Sequence, residues 1–434
     1  MRPADTSPNE TRGSNGMLRA LNSRNFRLYF AGQLVSLVGT WMQMVAMSWL
    51  VYRLTDSAAT LGYIGFLSQI PTFVLAPLAG VVADRWNRRS MMVVTQTLAM
   101  LQAFFLAFLV WSGTAAVWQI IPLSLLLGVI NAFDAPVRQA FTVDLVDRKE
   151  DMVNAIAVSS IMFNGARLIG PTVAGLSIAV IGEAGCFFLN GVSFLAVIVA
   201  MFMMRLAPPK VRTLESRLMQ DLKEGASYTF RSIPIRILLL FLALMSVVSM
   251  PLQTLMPVMT KQVLHGSAAM LGFLVGAAGV GSLIGGLYLA QRRDVLGLEK
   301  RIAFSAGLFG VAAVALGFTR SVWIALPLAV VAGLGLMVQA GSSTTLVQTL
   351  VEDDKRGRVM SFQTMAFMGM MPFGSLLGGV LADWIGAPAT LLLSGVICLV
   401  GTLAFARQLD TWRQHAHPVY ERIGVMGQSG KSDK

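Results

Sequence analysis

The sequence predicts an all-α membrane protein with twelve transmembrane helices in two six-helix bundles. Composition is the first observation behind this prediction. Hydrophobic residues make up 55% of the 434 residues and charged residues only 13%, against about 25% charged residues in an ordinary soluble domain. The second observation is a series of long apolar runs, and the third is a weak repeat between the two halves of the chain. One or several soluble domains are therefore excluded.

Turn and charge signals divide the apolar sequence into twelve runs, which we number as spans 1 to 12. A helix needs about 20 apolar residues to cross a hydrocarbon core, and longer runs allow tilt. The runs cover residues 26–52, 60–83, 90–112, 117–141, 153–181, 186–205, 236–260, 268–290, 301–319, 322–349, 357–382 and 387–407.

Two short segments of the first half have counterparts in the second half. The segment 80–85 corresponds to 286–291 at an offset of 206 residues, and 145–147 corresponds to 350–352 at an offset of 205 residues. Each half holds six spans, which is a known plan for transporters. The expected organisation is a tail (1–20), a first bundle (21–205), a linker (206–235), a second bundle (236–407) and a second tail (408–434).

The linker contains a helical pattern. Leu214, Leu218, Leu222 and Ala226 recur every four residues, with charged residues between them. This spacing predicts an amphipathic helix lying on the membrane surface. A solvated linker helix is the alternative interpretation.

The formal net charge of +12 is best explained by topology. On a soluble protein it would suggest a nucleic-acid partner. With a cytoplasmic N-terminus, however, 30 of the 34 Lys and Arg residues fall on the cytoplasmic side, and only Arg53, Lys261 and Arg320 lie in outward loops. The positive-inside rule therefore predicts a multi-pass protein of the bacterial inner membrane with both termini cytoplasmic. We expect the lipid bilayer, and no nucleic acid, as its surroundings.

The sequence offers no catalytic or metal-binding set. Cys186 and Cys398 lie in apolar runs, and no Walker loop, zinc-spaced His/Cys set or nucleophile elbow is present. The first apolar run is long for a signal peptide and lacks a processing site. We therefore expect a first span that is retained, no enzyme activity, no metal and no cofactor.

The loop between spans 2 and 3 carries a specific motif. It reads Gly80-Val-Val-Ala-Asp84-Arg85-Trp-Asn87-Arg88-Arg89. This resembles the signature loop of the major facilitator superfamily, Gly-x-x-x-Asp-Arg-x-Gly-Arg-Arg. Asn87 stands where the family usually has glycine, and Asn tolerates a left-handed conformation that would keep the turn tight.

Four further stretches narrow the resemblance. They are residues 26–43 in span 1, 134–141 in span 4, 164–175 in span 5, and 356–379 in span 11. Together they resemble the transmembrane secretion effector branch, which includes the enterobactin exporter and related drug-efflux proteins. The resemblance implies a secondary active transporter that works by alternating access. It further implies proton-coupled efflux of amphipathic small molecules, such as drugs or siderophore-like compounds, by a monomer. Import of a metabolite and a non-transporting receptor of the same fold remain alternatives.

In the family, the loop after span 2 latches the two halves on the cytoplasmic side. The resemblance assigns this gating role to Gly80, Asp84, Arg85, Arg88 and Arg89. A carboxylate such as Asp84 can accept hydrogen bonds from the amino end of a helix. The resemblance nominates the start of span 11. The alternative, charge that only sets topology, explains Arg88 and Arg89 but not an acid.

Three charged residues lie within the spans. Asp134 and Arg138 are one helical turn apart in span 4, so they face the same side. Either they form a static network with the arginines of the loop after span 2, or Asp134 is the protonatable carboxylate that couples transport to a proton gradient. Arg167 lies near the middle of span 5, where a charge costs at least ~2.5–3.5 kcal/mol. A structural ion pair, for example with Asp134, and a contact with substrate are its two interpretations.

Small residues are expected where helices approach closely. Gly170, Pro171 and Gly175 in span 5 predict packing against span 8, and Gly374 and Gly378 in span 11 predict packing against span 2 by analogy with the family. Rocking of one half on the other needs such smooth contacts.

Polar residues of spans 1, 4, 7 and 10 are candidates for the cavity lining, again by analogy with the family. Hydrogen bonds between helices, without any ligand, are the alternative. Asp383, near the outer end of span 11, is expected to be a helix-end or outer-gate residue. The candidate lining residues are Gln33, Thr40, Gln43, Asn131, Gln253 and Gln339.

Overall fold

The computed structural model describes residues 19–145, 151–205, 218–292, 294–352 and 355–422. Within these ranges, the side chains at 76–77, 80–81, 83–85, 143, 153 and 218–224 are outside the description. Eleven helical segments of the described chain are long and apolar enough to cross a membrane. One of them, Asn154–Met203, has 50 residues and is broken at Gly182, so it crosses twice. The ten others and these two crossings make twelve, which confirms the predicted all-α membrane fold.

The helices of the described chain follow the expected spans closely. Spans 5 and 6 share α5, span 7 comprises α7 and α8, and span 11 comprises α12 and α13. The helices are α1 (Arg24–Thr55), α2 (Ala58–Arg85), α3 (Arg88–Trp111), α4 (Val117–Asp144), α5 (Met152–Met203), α6 (Leu218–Arg231), α7 (Ile233–Thr254), α8 (Met256–Val258), α9 (Ala268–Ala290), α10 (Leu298–Phe318), α11 (Val322–Leu350), α12 (Arg356–Phe367), α13 (Met371–Ile385), α14 (Ala387–Arg407) and α15 (Leu409–Arg422). A 3-10 turn at Arg19–Asn22 precedes α1.

The bundle has two ends, which differ in their connections. We call the end that holds the loop between spans 2 and 3, together with α6 and α15, the basic end. At the opposite end the helices are joined by very few residues. Gly182 (φ 69°) and Gly386 (φ 85°) each turn the chain between two spans, and a positive φ of this kind favours glycine. The connections at the opposite end are 56–57, 112–116, Gly182, 264–267, 319–321 and Gly386.

The linker helix α6 packs against protein. A Cβ built on Gly225 would lie 3.0 Å from the Cβ of Arg358 and 3.1 Å from the Phe362 ring, and the Lys355 ammonium lies 4.7 Å from the centre of the Tyr228 ring. Its second half therefore lies on α12, so that this part of α6 contacts a neighbouring helix rather than lying free. Of the residues that predicted the helix, Leu214 and the side chains of Leu218 and Leu222 lie outside the described part.

The helix α15 departs from the sequence prediction, in which residues 408–434 form a tail. Trp412 is only 1% exposed, and its indole nitrogen donates to the Pro234 carbonyl over 3.1 Å. The Arg413 guanidinium pairs with the buried Glu299 carboxylate, 3.1 Å away. Tyr420, two turns after Trp412, is also buried, and this burial raises the pKa of its phenol above the usual value. The start of the second tail is thus a docked amphipathic helix.

We predict that Trp412→Ala destabilises the docking of α15 by about 3 kcal/mol, because it removes a buried aromatic side chain. The measurements are the melting temperature of the purified protein and hydrogen exchange of residues 409–422. Trp384, which is 80% exposed, provides the matched control as Trp384→Ala. Equal melting temperatures and equal exchange rates for the two variants would contradict the docking of α15.

Candidate functional site

The two halves meet at the opposite end through a contact between α2 and α13. A Cβ built on Gly379 would lie 2.5 Å from the Ala58 carbonyl oxygen and 2.7 Å from the Gly62 Cα. A Cβ built on Gly62 would lie 2.6 Å from the Ser375 carbonyl oxygen. Real Cβ atoms do not approach so closely, so only glycine allows these two backbones to touch.

A second contact of the same kind joins α5 and α9. A Cβ on Gly175 would lie 2.9 Å from the Gly272 Cα, and a Cβ on Gly272 would lie 2.5 Å from the Pro171 carbonyl oxygen. Pro171 and Gly175 therefore lie in the contact between spans 5 and 8 that the sequence predicted. We call the α2–α13 and α5–α9 contacts together the glycine seam.

Three of the predicted packing residues lie elsewhere. Gly170 faces span 1, where its Cβ would lie 2.5 Å from the Cβ of Trp41. Gly374 and Gly378 face α7 of their own half, against Met250 and Pro251. The prediction that they face span 2 was wrong by one residue, because Gly379 is rotated about 100° from Gly378. The sequence signal was present in Gly378-Gly379, but it did not say which glycine faces which neighbour.

Side chains add a latch to the glycine seam at the opposite end. The Asp383 carboxylate of α13 accepts hydrogen bonds from the Ala58 backbone N–H, at 2.7 Å, and from the Ser57 hydroxyl, at 2.9 Å. It thus caps the amino end of α2, where a negative charge is stabilised. Nearby, the Lys261 ammonium of the second half lies 2.6 Å from the Asp56 carboxylate of the first half. We call these two interactions the Asp383 latch. Asp383 therefore lies at a gate between the halves.

The contacts between the halves that the described residues make extend from the opposite end as far as Phe73 with Gly369 and Leu168 with Gly279. Nearer the basic end, a Cβ built on Gly165 or Gly357 meets no heavy atom within 4 Å beyond the backbone of its own helix. Among the described residues, the halves are therefore closed against each other at the opposite end, and accessible space lies at these two positions beyond the contacts.

The described residues of the loop between spans 2 and 3 bind to their own half. Arg88 lies 2.8 Å from the Asp144 carboxylate of α4, and Arg89 donates to the Phe202 carbonyl of α5 over 3.4 Å. Asn87 has φ −65° and ψ 112°, so the expected left-handed turn is wrong. Its side chain instead caps α3 by accepting from the Arg89 N–H at 3.0 Å and the Ser90 N–H at 3.3 Å. The side chains of Gly80, Asp84 and Arg85 lie outside the described part.

Asp134 is buried between α3 and α4, with only 4% of its surface exposed. It accepts hydrogen bonds from the Thr95 hydroxyl at 2.8 Å and the Gln96 amide at 2.9 Å. Its second oxygen lies 3.6 Å from the Arg138 guanidinium, one turn along α4. Asp134 and Arg138 therefore form the pair that their spacing predicted. Arg88 and Arg89 do not join it.

Arg167 lies apart from this pair. Its guanidinium is 5.8 Å from the centre of the Trp41 ring in span 1. Among the described residues, it makes no ion pair and donates no hydrogen bond to a protein acceptor. The expected ion pair with Asp134 is wrong, because Arg138, Thr95 and Gln96 already occupy that carboxylate.

The candidate lining residues fall into two groups. Thr40, Asn131 and Gln253 are exposed, as a lining requires. Thr40 and Asn131 lie in the middle of their spans, and Gln253 is the last residue but one of α7. The other three are buried. Gln43 donates to Gln102 at 3.0 Å and accepts from Asn190 at 2.7 Å. This ties spans 1, 3 and 6 together.

For Gln33 and Gln339, burial decides against a lining role. Gln33 is 1% and Gln339 0% exposed, and the Gln339 amide lies 3.3 Å from the Ser343 hydroxyl. Fully buried amides cannot line an open cavity. For Gln43 the alternative, hydrogen bonding between helices, is therefore the correct one. The Gln33 and Gln339 side chains are enclosed by the helices, and the hydrogen bond of Gln339 to Ser343 lies within α11. Sequence alone did not distinguish the two groups, since all six are polar residues within spans.

Comparisons with known proteins extend these observations. A family model described as transmembrane secretion effector matches residues 15–419. The chain is 27% identical to the staphyloferrin A transporter of Staphylococcus aureus, over 87% of this chain and 95% of that protein. It is 25% identical to macrolide efflux protein A of Streptococcus pyogenes, over 86% and 94%. Among solved structures, a bacterial homologue of the human lysosomal transporter Spinster aligns with a TM-score of 0.66 at 13% identity, over 94% of this chain and 99% of that chain.

We predict that Gly379→Ala opens the glycine seam, because the added methyl group would lie 2.5 Å from the Ala58 carbonyl oxygen. Spin labels on Tyr63→Cys and Trp384→Cys measure the separation of α2 and α13 at the opposite end. The distance distribution should gain a longer component. Gly307→Ala is the control, since its methyl group would have its nearest neighbour at 3.8 Å. A distribution unchanged by Gly379→Ala would contradict the role of this contact.

Proposed function

The chain belongs to the transmembrane secretion effector family of the major facilitator superfamily, and on that basis we propose that it is a secondary transporter that exports amphipathic small molecules. The family model covers both halves of the chain. Relatives named for transport of staphyloferrin A and for macrolide efflux match it over nearly their whole length. These names support siderophore-like or drug-like compounds as the substrate class. They are names of transporters, and we assign no catalytic residue.

We propose that the basic end faces the cytoplasm of a bacterial cell. The described part of that end holds Arg88, Arg89, Arg236 and Arg301 within or beside its connections. Basic residues near the ends of spans are retained on the cytoplasmic side. With this orientation the protein lies in the inner membrane with both termini cytoplasmic, and the structure is inward-open.

The closed opposite end, with accessible space at Gly165 and Gly357 beyond its contacts, is the observation that carries the proposal. In alternating access, two halves rock about a central site so that one end closes while the other opens. The glycine seam supplies a smooth contact on which the halves can move, and the Asp383 latch stabilises the inward-open state. A substrate can enter from the cytoplasm in this state and leave once the latch has parted. One chain contains both halves, so we propose that a monomer is sufficient.

The loop after span 2 completes this cycle in our proposal. Asp84, with Gly80, Arg85, Arg88 and Arg89, would hold the cytoplasmic end closed in the outward-open state by binding the amino end of α12. Asp383 already does the equivalent at the other end, where a carboxylate of span 11 caps span 2. Asp84 would therefore stabilise the outward-open state and Asp383 the inward-open state.

Protons are the coupling ion that we propose, with Asp134 as their carrier. Asp134 is a buried acid whose neutral donors, Thr95 and Gln96, can also remain hydrogen-bonded to a protonated carboxyl group. Its cationic neighbour among the described residues, Arg138, is 29% exposed in its side chain, so its position can respond to an opening cavity. Arg138 cannot carry the proton itself, since it is always charged.

Reconstitution into proteoliposomes tests the function. The vesicles are given a proton gradient and loaded in turn with a panel of dyes, macrolides and siderophores. We expect transport of at least one amphipathic compound out of the cytoplasmic side, lost when the gradient is collapsed. Gradient-driven uptake in the reverse direction would identify an importer. Binding without flux would identify a receptor, and either result would overturn the proposal.

We predict that Asp134→Asn abolishes gradient-driven export but preserves binding and passive exchange, because asparagine keeps the shape and cannot titrate. Flux with and without a gradient is measured on the same preparation. Asp144→Asn is the matched control, since Asp144 lies on the same helix in an exposed pair with Arg88. Full gradient-driven export by Asp134→Asn would rule out Asp134 as the proton carrier.

We also predict that Asp84→Asn lowers the export rate several-fold at equal membrane expression, because it weakens the closure of the cytoplasmic end. Asp294→Asn, in the corresponding loop between spans 8 and 9, serves as the control and should export normally. Undiminished export by Asp84→Asn would count against the proposed gating role.

A further inference from the structure

Arg167 carries a charge in the middle of span 5 that no group in the described part of the chain neutralises. It is the sixteenth of the 30 residues of α5 that precede the break at Gly182. Its guanidinium lies 5.8 Å from the centre of the Trp41 ring. The acid of the first half that could serve it, Asp134, is held by Arg138, Thr95 and Gln96. A charge retained within a membrane span without a protein partner is a sign of a functional site.

The position of Arg167 on α5 identifies the space it faces. One exposed stripe of α5 contains Ile169, Leu176 and Val180, and is entirely apolar. Arg167 lies nine residues before Leu176, about two and a half turns away and so on the other side of the helix. The apolar stripe faces lipid, and Arg167 faces away from it.

The stripe of α5 that contains Arg167 is polar and accessible. Ser160, Phe163 and Asn164 lie on it, at the three-, four- and seven-residue spacing of one helix face. On either side of this stripe, Leu168 contacts Gly279 of span 8 and Gly170 contacts Trp41 of span 1. The stripe therefore lines the space between the two halves.

Within this stripe, the guanidinium is the group with donors to offer. The Ser160 hydroxyl donates to the Ile156 carbonyl at 2.9 Å, and the Asn164 amide donates to the Ser160 carbonyl at 2.8 Å. Both side chains thus direct hydrogens to their own helix. Arg167 has five N–H groups in a planar fork that matches a carboxylate.

An aromatic surface adjoins the cation. The rings of Trp41 and Phe163 meet edge to face, with their centres 6.2 Å apart. Phe163 is 44% exposed, so the pair presents an accessible apolar surface beside the guanidinium. A ligand that fits both features has an anionic group and, next to it, an aromatic or otherwise apolar body.

We propose that Arg167, with Trp41 and Phe163, forms a binding subsite for a carboxylate carried on an aromatic or apolar body. The inference rests on the proposed transport function, since it assigns the substrate class of that same cavity. In the inward-open state, the carboxylate would enter from the cytoplasm and form a bidentate pair with Arg167. The ligand would then supply the counter-ion that the protein lacks.

Binding of two matched probes to the purified full-length protein tests the proposal. Dansylglycine carries a carboxylate next to an aromatic body, and dansylglycinamide is its neutral counterpart. Dansyl fluorescence reports binding without any gradient or flux. The wild-type protein should bind dansylglycine roughly ten-fold more tightly than the amide, the effect of one charge-assisted hydrogen-bonded pair.

Variants separate recognition from a structural role. Arg167→Gln should reduce the affinity for dansylglycine by roughly ten-fold and leave that for the amide unchanged, so that the preference disappears. Arg167→Lys keeps the charge but loses the fork, and should retain part of the preference. Arg236→Gln is the matched control, because Arg236 is an exposed arginine at the basic end that donates to the Phe230 carbonyl. A purely structural role would alter binding of both probes together.

Two results overturn the proposal: a wild-type protein without preference for dansylglycine, including one that binds neither probe, and a preference that survives Arg167→Gln. If Arg167→Gln does not fold, the wild-type protein and Arg167→Lys still decide. If the protein shows no preference for dansylglycine but still shows gradient-driven export of a cationic dye, the subsite is refuted and the transport function stands. If the preference is present but no flux is found, the transport function is refuted and the subsite stands.

Discussion

Direct contact between glycine backbones is the interaction on which the arrangement of the two halves depends. Lipid tails are as apolar as leucine, so there is little hydrophobic gain in pressing one half against the other. Close van der Waals contact must supply the attraction, and Gly62 with Gly379 and Gly175 with Gly272 allow it. At these four glycines no side chain lies between the two backbones. It holds the halves at one end and still permits them to part.

The lipid bilayer also explains where the few charged residues of the spans are placed. Asp134 is neutralised inside the first half by Arg138, and Asp383 by the amino end of α2 in the other half. Both carboxylates thus have partners that a small movement can change. Arg167 differs, because no group in the described chain pairs with it. In our proposal, this contrast divides the charged residues of the spans into those that serve the conformational cycle and one that serves the ligand.

The sequence predicted the spans well, because the length of an apolar run and its flanking turn residues are local signals, and a bilayer imposes a strict minimum on that length. The expected run 387–407 coincides with α14, and most other boundaries agree within a few residues. Side-chain direction was predicted less well. Gly378 and Gly379 differ by one residue but face different helices, and a glycine pair in sequence does not reveal the rotation of its helix. Contacts with residues distant in sequence determine which helix each glycine faces.

The direction of polar side chains was equally hard to predict from the sequence. Thr40 and Gln43 are three residues apart in span 1, yet Thr40 is exposed and Gln43 is buried by Gln102 and Asn190, 59 and 147 residues away. Composition could not tell a lining residue from an internal hydrogen bond. The helix α15 was missed for another reason. Its apolar residues are few, and its docking depends on contacts that are distant in sequence, such as those of Trp412 with Pro234 and of Arg413 with Glu299.

The short connections at the opposite end have a consequence for molecules that approach the protein from outside the inner membrane. Gly182 and Gly386 each form an entire connection between two spans, and the longest connection there, 112–116, has five residues. If the basic end faces the cytoplasm, as we propose, an antibody or a protease at the outer face of the inner membrane would find almost no loop to bind. An epitope tag for detection on spheroplasts should therefore be inserted at 112–116, because the single-glycine turns leave no room for it.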